Sequence, residues 1–163
     1  MWTMLFSTML SSLLFGASLT GKEPPVPGAL ELSILRVAPP NSIVIEVRNA
    51  SSAPVRIWRE SNSWGVARWR IMRVREGDAV LFYQVPTDEF TRNVPGFDEL
   101  SGQTRVERVL DLTAAAWHST RPSDINIRAG DLVIVFYDVP VTDEAKRLAV
   151  WHGAIVASSS VSQ

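Results

Sequence analysis

The chain contains no cysteine. That excludes disulfide bridges, thiolate nucleophiles, thiolate metal centres and a lipid anchor carried on an N-terminal cysteine. Histidine is almost as scarce. His118 and His152 stand on distant segments and make a poor zinc set. Lysine appears only at Lys22 and Lys146, so the basic residues are nearly all arginine. No excess charge of one sign is present either. The formal net charge is −1 and the pI about 6.1, so no bulk field draws the chain to nucleic acid. There is no phosphate-cradling glycine loop, no G-x-S-x-G elbow and no metalloprotease helix motif. His118 would serve as a general base only beside a positioned partner, and the sequence names none. These absences predict a protein that is not an enzyme and that carries no cofactor and no metal. Calcium, which takes hard oxygen ligands, would have to draw on the pairs Asp88-Glu89, Asp98-Glu99 and Asp143-Glu144, but no twelve-residue calcium loop holds them.

At 163 residues the chain suits one domain with its own core. From Met1 to Gly21 it has no charged side chain, and the small residues Gly16, Ala17 and Ser18 follow an apolar run. We read residues 1–21 as a signal peptide or, if uncleaved, a membrane anchor. The expected location is therefore outside the cytoplasm: periplasmic, secreted or at the cell surface. Residues 22–29, with three prolines, read as an extended linker. Asn49-Ala50-Ser51 has the pattern of a glycosylation acceptor in a eukaryotic exported protein.

From Leu30 to Ser158 the apolar residues recur at period two between turn signals. Leu30–Ala38 alternates until its phase slips near Leu35, which suggests a bulge. Ser42–Asn49 sets Ile43, Ile45 and Val47 against Glu46 and Arg48. Runs over 54–60, 66–75, 79–85 and 104–112 follow, and Asp131–Val139 is the most continuous apolar run. The last strand is expected over 150–158, with 159–163 fraying as a disordered tail. Thr142 is placed to cap a short helix near 142–148, where Asp143 and Glu144 favour the N-terminus. About eight short strands with one helix predict an all-β antiparallel sandwich.

The segments "IVIEVRNASSAPVRI", "LSGQTRVERVLDL" and "GDLVIVFYDV", in that order, resemble an immunoglobulin-like β-sandwich. The pairing of "VRNASSAPVRI" with a later "F…L-x-G-Q-x" segment is similar to the bacterial proteinase-inhibitor-type Ig-like domain. The resemblance covers most of residues 30–158 and implies the fold class; inhibitor activity does not travel with a fold. A second likeness is excluded. Asn62-Ser63-Trp64-Gly65 resembles the asparagine segment of papain-like proteases, but a chain without cysteine has no nucleophile for it to orient.

In a sandwich of this strand order, the Ser61–Gly65 loop, the 86–103 loop and the 142–148 helix share one end. Trp64 is the first candidate contact residue, a large rigid ring that loses little entropy on binding. Phe90, Arg92, Asn93 and Phe97 stand in a loop long enough to suggest function. The competing reading makes Trp64 and Phe97 plugs of the core and Asn62 a turn former. The six arginines between Arg56 and Arg75 form either a basic face or cross-strand ion pairs with the acidic third that follows. The expected function is noncatalytic binding of another macromolecule, protein or polysaccharide, through this end. The alternatives are a carbohydrate-binding module using exposed tryptophans and a proteinase inhibitor inserting the long loop. A membrane contact is expected only if residues 1–21 are retained.

Overall fold

The computed structural model describes residues 29–62, 64–85 and 94–162. The proposed signal peptide and nearly all of the proposed linker lie outside these residues, but Ala29, the linker's last residue, is buried in the core.

The described chain is an all-β antiparallel sandwich with one short helix. A three-stranded sheet has the order β1 (Leu30–Ala38), β2 (Ser42–Asn49), β7 (Arg105–Asp111). A five-stranded sheet has the order β10 (Gly153–Ser160), β9 (Leu132–Val139), β4 (Trp69–Arg75), β5 (Asp78–Gln84), β8 (Trp117–Ser119). A two-stranded ribbon joins β3 (Val55–Trp58) to β6 (Phe97–Leu100). The eight expected strands are all present, and β6 and β8 are additions to them. β10 also runs on through Ser160, and Val161 is buried, so the tail expected to fray from Ser159 is strand and core. Two backbone bonds fix it, Val161 N–H to Asp131 O at 2.8 Å and Gly130 N–H to Val161 O at 2.9 Å.

Alternation decides which side chains enter the core. Ile43, Ile45 and Val47 point inward from β2, opposite Leu110 and Val106 of β7. From the other sheet come Ile71, Val80, Phe82, Val133 and Val135, joined by Trp69 and Tyr137. β-Branched residues dominate these positions, which suits a pleated and half-buried surface. The phase slip in β1 is a register shift between Ile34 and Arg36 that leaves Leu35 unpaired and exposed. The helix α1 (Asp143–Arg147) is capped as its sequence requires: Thr142 Oγ1 accepts from Ala145 N–H at 3.1 Å. Acidic residues fill its first turn and basic ones its last, matching the helix dipole.

Asn49 does not behave as a glycosylation acceptor. It is fully buried, and its Nδ2 donates to the carbonyls of Ala53, Leu100 and Ser101 at 2.8, 3.0 and 3.1 Å. Its Oδ1 accepts from the Ser51 N–H and hydroxyl. A sugar on this nitrogen would break the tie between the β2–β3 turn and β6.

At the opposite end lies a charged network that the strand pattern does not announce. Arg73 occupies an inward position of β4 and is 1% exposed. Its guanidinium donates to both Asp124 oxygens at 2.8 and 2.7 Å and to Asn126 O at 3.1 Å. Arg75 binds the buried Asp131 carboxylate twice, at 2.6 and 2.7 Å. The hydrogen bond from Arg73, with the further charges of Arg75 and Arg128, outweighs partial burial and holds the Asp124 carboxyl at about 2. Burial alone would raise Asp131, but hydrogen bonds from Arg75 and the Arg128 N–H bring it below the usual range. The network pins the long 112–131 connection to the sheet.

Candidate functional site

The loop between β3 and β4 is built around Asn62. Its Oδ1 accepts from the N–H groups of Trp64 at 3.1 Å and Gly65 at 2.9 Å, so one side chain closes the turn. Its Nδ2 donates to Gly96 O at 2.9 Å, and the Arg59 N–H donates to the same carbonyl at 3.1 Å. Asn62 thus clasps the end of the 86–103 loop to the β3–β4 loop. It is buried, so its action on any partner runs through the loops it holds.

Gly65 is required here for close approach. A Cβ at this position would overlap the Arg59 carbonyl, which is backbone and has little room to give. Trp64 is half-buried, packs on the core and lies 6.2 Å from the Trp58 ring at a 32° tilt. Its carbonyl accepts from Arg68 Nε at 2.7 Å. Burial lowers the Arg68 pKa, only partly offset by Tyr137 and Asp138.

Phe97 pairs with Trp58 across the β3–β6 ribbon, and the Arg56 guanidinium covers its ring at 4.2 Å. Arg56 also donates to Leu148 O at 2.9 Å and to Glu99 at 3.3 Å, which ties the ribbon to the helix segment. Arg59 donates to Asp98 at 3.0 Å. The end therefore gathers Asn62, Trp64 and Phe97 with α1, as the strand order suggests. Phe90, Arg92 and Asn93 lie outside the described residues. Val94, where the description resumes, is 81% exposed.

Arg56 and Arg59 were missed as residues of this end, although a signal exists. In an antiparallel ribbon of β3 with the segment carrying Asp98-Glu99, Arg56 falls directly opposite Glu99. The six arginines are not a free basic face. Arg56, Arg59, Arg70, Arg73 and Arg75 meet Glu99, Asp98, Asp138, Asp124 and Asp131 respectively, and Arg68 meets a carbonyl.

Beneath the end, three aromatic rings are packed together, Tyr137 tilted against Trp69 and stacked on Trp151. Tyr137 lies 4.4 Å from Trp69 and 5.9 Å from Trp151. Trp69 Nε1 donates to Glu60 at 3.0 Å, and Arg108 reaches the same carboxylate at 2.9 Å. Burial, with the Glu60 charge adding to it, pushes the Tyr137 phenol up, so it stays protonated. His118, on the edge strand β8, and His152, just before the opposite edge strand β10, stand apart from each other. His118 stacks on Tyr83 at 6.0 Å beside a cleft of about 370 Å³ lined by Trp117, Phe82 and Ile125. His152 Nδ1 lies 3.3 Å from Val150 O. Among the described residues no group of three or more side chains could hold a metal ion. Nor is any described helix long and apolar enough to cross a membrane.

The chain matches no family model, no curated protein and no solved structure.

Proposed function

We propose that this chain is an exported, noncatalytic binding module of immunoglobulin-like build that meets a protein partner through the loops at the Trp64 end. The strand order supports the build: β10-β9-β4-β5 packed against β1-β2-β7 follows the G-F-C-C′ and A-B-E order of immunoglobulin variable-type sheets. The observation that carries the binding reading is the Asn62 clasp. It fixes two loops to one carbonyl, so whatever they present is presented rigidly, and a rigid surface loses less entropy on association. In this reading Asn62 and Trp64 are the support. The contact rim is Val94, Phe97 and the Arg59–Asp98 pair, apolar area flanked by charges that select the partner. Export rests on residues 1–21.

The carbohydrate alternative asks for exposed tryptophan rings. Trp58, Trp69 and Trp151 are buried, and Trp64 and Trp117 are half-buried, so that reading has little surface to use. The inhibitor alternative needs the tip of the 86–103 loop, much of which lies outside the described residues.

The test is recovery of partners from the exported fraction by the wild-type chain, beside Val94→Asp and Arg59→Ala. Both variants should melt with the wild type, because neither side chain enters the core. Loss of a protease-sensitive partner by both variants is expected. A partner held equally by both would overturn the rim, and one released only by glycosidase would favour the carbohydrate reading.

A further inference from the structure

The outer face of the five-stranded sheet is apolar, and among the described residues nothing covers it. Strand register lays its side chains in rows. One row runs Val156, Phe136, Arg70, Tyr83; the next runs Ser158, Ile134, Met72, Leu81. A third runs Ser160, Leu132, Val74, Ala79. Alternation requires these residues to face away from the core, since Ile71, Val133 and Val135 between them are fully buried. Val156 is 56% exposed, and Leu132 and Tyr83 are exposed as well. Contiguous apolar area of this kind on a folded domain marks an interaction surface.

We infer that this face pairs with the same face of a second copy of the chain. Charge is the first reason for choosing a second copy. The face carries an ion pair, Arg70 with Asp138, side by side at 3.8 Å and each about half exposed, with Arg68 beside it tied by its Nε to the Trp64 carbonyl. A pair of opposite charges is complementary to its own copy under a two-fold axis. An axis along the gap between β4 and β9 lays β4 of one copy over β9 of the other. Arg70 then reaches Asp138 of the second copy, and Met72 lies against Ile134 of the second copy. Sheets packed in this way cross at about 30°, as twisted sheets do.

Area is the second reason. Four full-length strands at a spacing of about 4.8 Å and six residues at a rise of about 3.3 Å give a footprint of about 19 by 20 Å, with the three residues of β8 as a margin. Two such faces remove on the order of 800 to 1,000 Å² from water, the size of a weak and reversible interface.

Sedimentation velocity over a concentration series tests this on the full chain. The wild type should show a reversible monomer–dimer equilibrium. Val156→Arg, which sets an unpaired charge in the interface from each copy, should weaken it at least about tenfold with an unchanged melting temperature. Arg70→Asp alone should weaken it too, and adding Asp138→Arg should restore it. Glu107→Arg, on the outer face of the other sheet, should leave it unchanged. A wild type that stays monomeric throughout overturns the inference; if Met72 is nonetheless shielded from oxidation, the face belongs to residues 1–28 of the same chain. A dimer that survives Val156→Arg overturns it equally.

Discussion

The two sheets of this sandwich turn contrasting chemistry to the outside. On the three-stranded sheet, register puts Glu31, Arg48 and Arg105 in one row and Ser33, Glu46 and Glu107 in the next, and only the third, with Arg36, Val44 and the exposed Val109, is largely aliphatic. Arg48 pairs with Glu31 at 3.2 Å and Arg105 with Glu46 at 3.4 Å. On the five-stranded sheet the corresponding rows are largely aliphatic and aromatic, with one ion pair at the end of the neighbouring strands β4 and β9. Both sheets bury mainly apolar side chains on their inner faces, so the core does not explain the difference. A surface laced with charges is at home in water, whereas an apolar one is at home against another surface. One molecule thus contains its own control.

The largest effect should come from crossing a single strand from its inner to its outer side. Ile71 and Met72 are neighbours on β4, one fully buried and one facing out. Ile71→Ala should cost about 2–5 kcal/mol in urea unfolding. Met72→Ala in dilute solution should cost about 1 kcal/mol or less. Equal costs would mean that the outer face is covered within the chain itself.

Asn62→Ala comes next. It strands the Trp64 N–H, leaves the Gly65 N–H only the backbone carbonyl of residue 62 and loosens Gly96, and should cost about 1–3 kcal/mol. Proteolysis should then cut first in the loop around Gly96, which lies away from both outer faces.

Acid should act on the opposite end. An unperturbed aspartate titrates near ~3.9, and Asp124 is held at about 2 in the folded chain. Because the folded value is the lower one, the contribution of this pair is complete above about pH 4 and is lost as pH falls toward about 2. Asp131 shifts in the same direction and adds to the loss. Thermal melts between pH 5 and pH 2 should show the decline, and Asp124→Asn should flatten it.

The smallest effect is expected on the charged outer face. Glu107→Ala should change stability by no more than about 0.5 kcal/mol, since exposed groups of this kind contribute little.

Much of the architecture is legible in the sequence. Period-two alternation places the other eight strands, the phase slip at Leu35 is a real register shift, and Thr142 announces its helix. β6 and β8 escape because each sits inside a long connection between the periodic runs, and β8 is only three residues long. The tail escapes because Ser158 to Ser160 read as polar, although their backbone is a full member of the sheet. Arg73 shows a different limit. Its inward parity on β4 is legible, but its partner Asp124 lies 51 residues away in a loop without periodicity.

The candidate end is legible in part. Asn62, Trp64 and Phe97 do gather there, yet a polar loop residue such as Asn62 gives no sign that it is buried. The outer face has a signal that invites a wrong inference. The run LVIVFYDV of β9 has the look of a strand buried on both faces, and in this two-layer sandwich the described residues supply only one cover. An unbroken apolar run in such a fold therefore points beyond the described residues.

Met72 offers the most direct test, because it sits in the middle of the apolar face and the other methionines all lie within the first nine residues. Peroxide oxidation of Met72 should slow as the concentration of wild-type chain rises, and should not slow for Val156→Arg. A Met72 oxidation rate that is the same at every concentration would contradict pairing of the two faces.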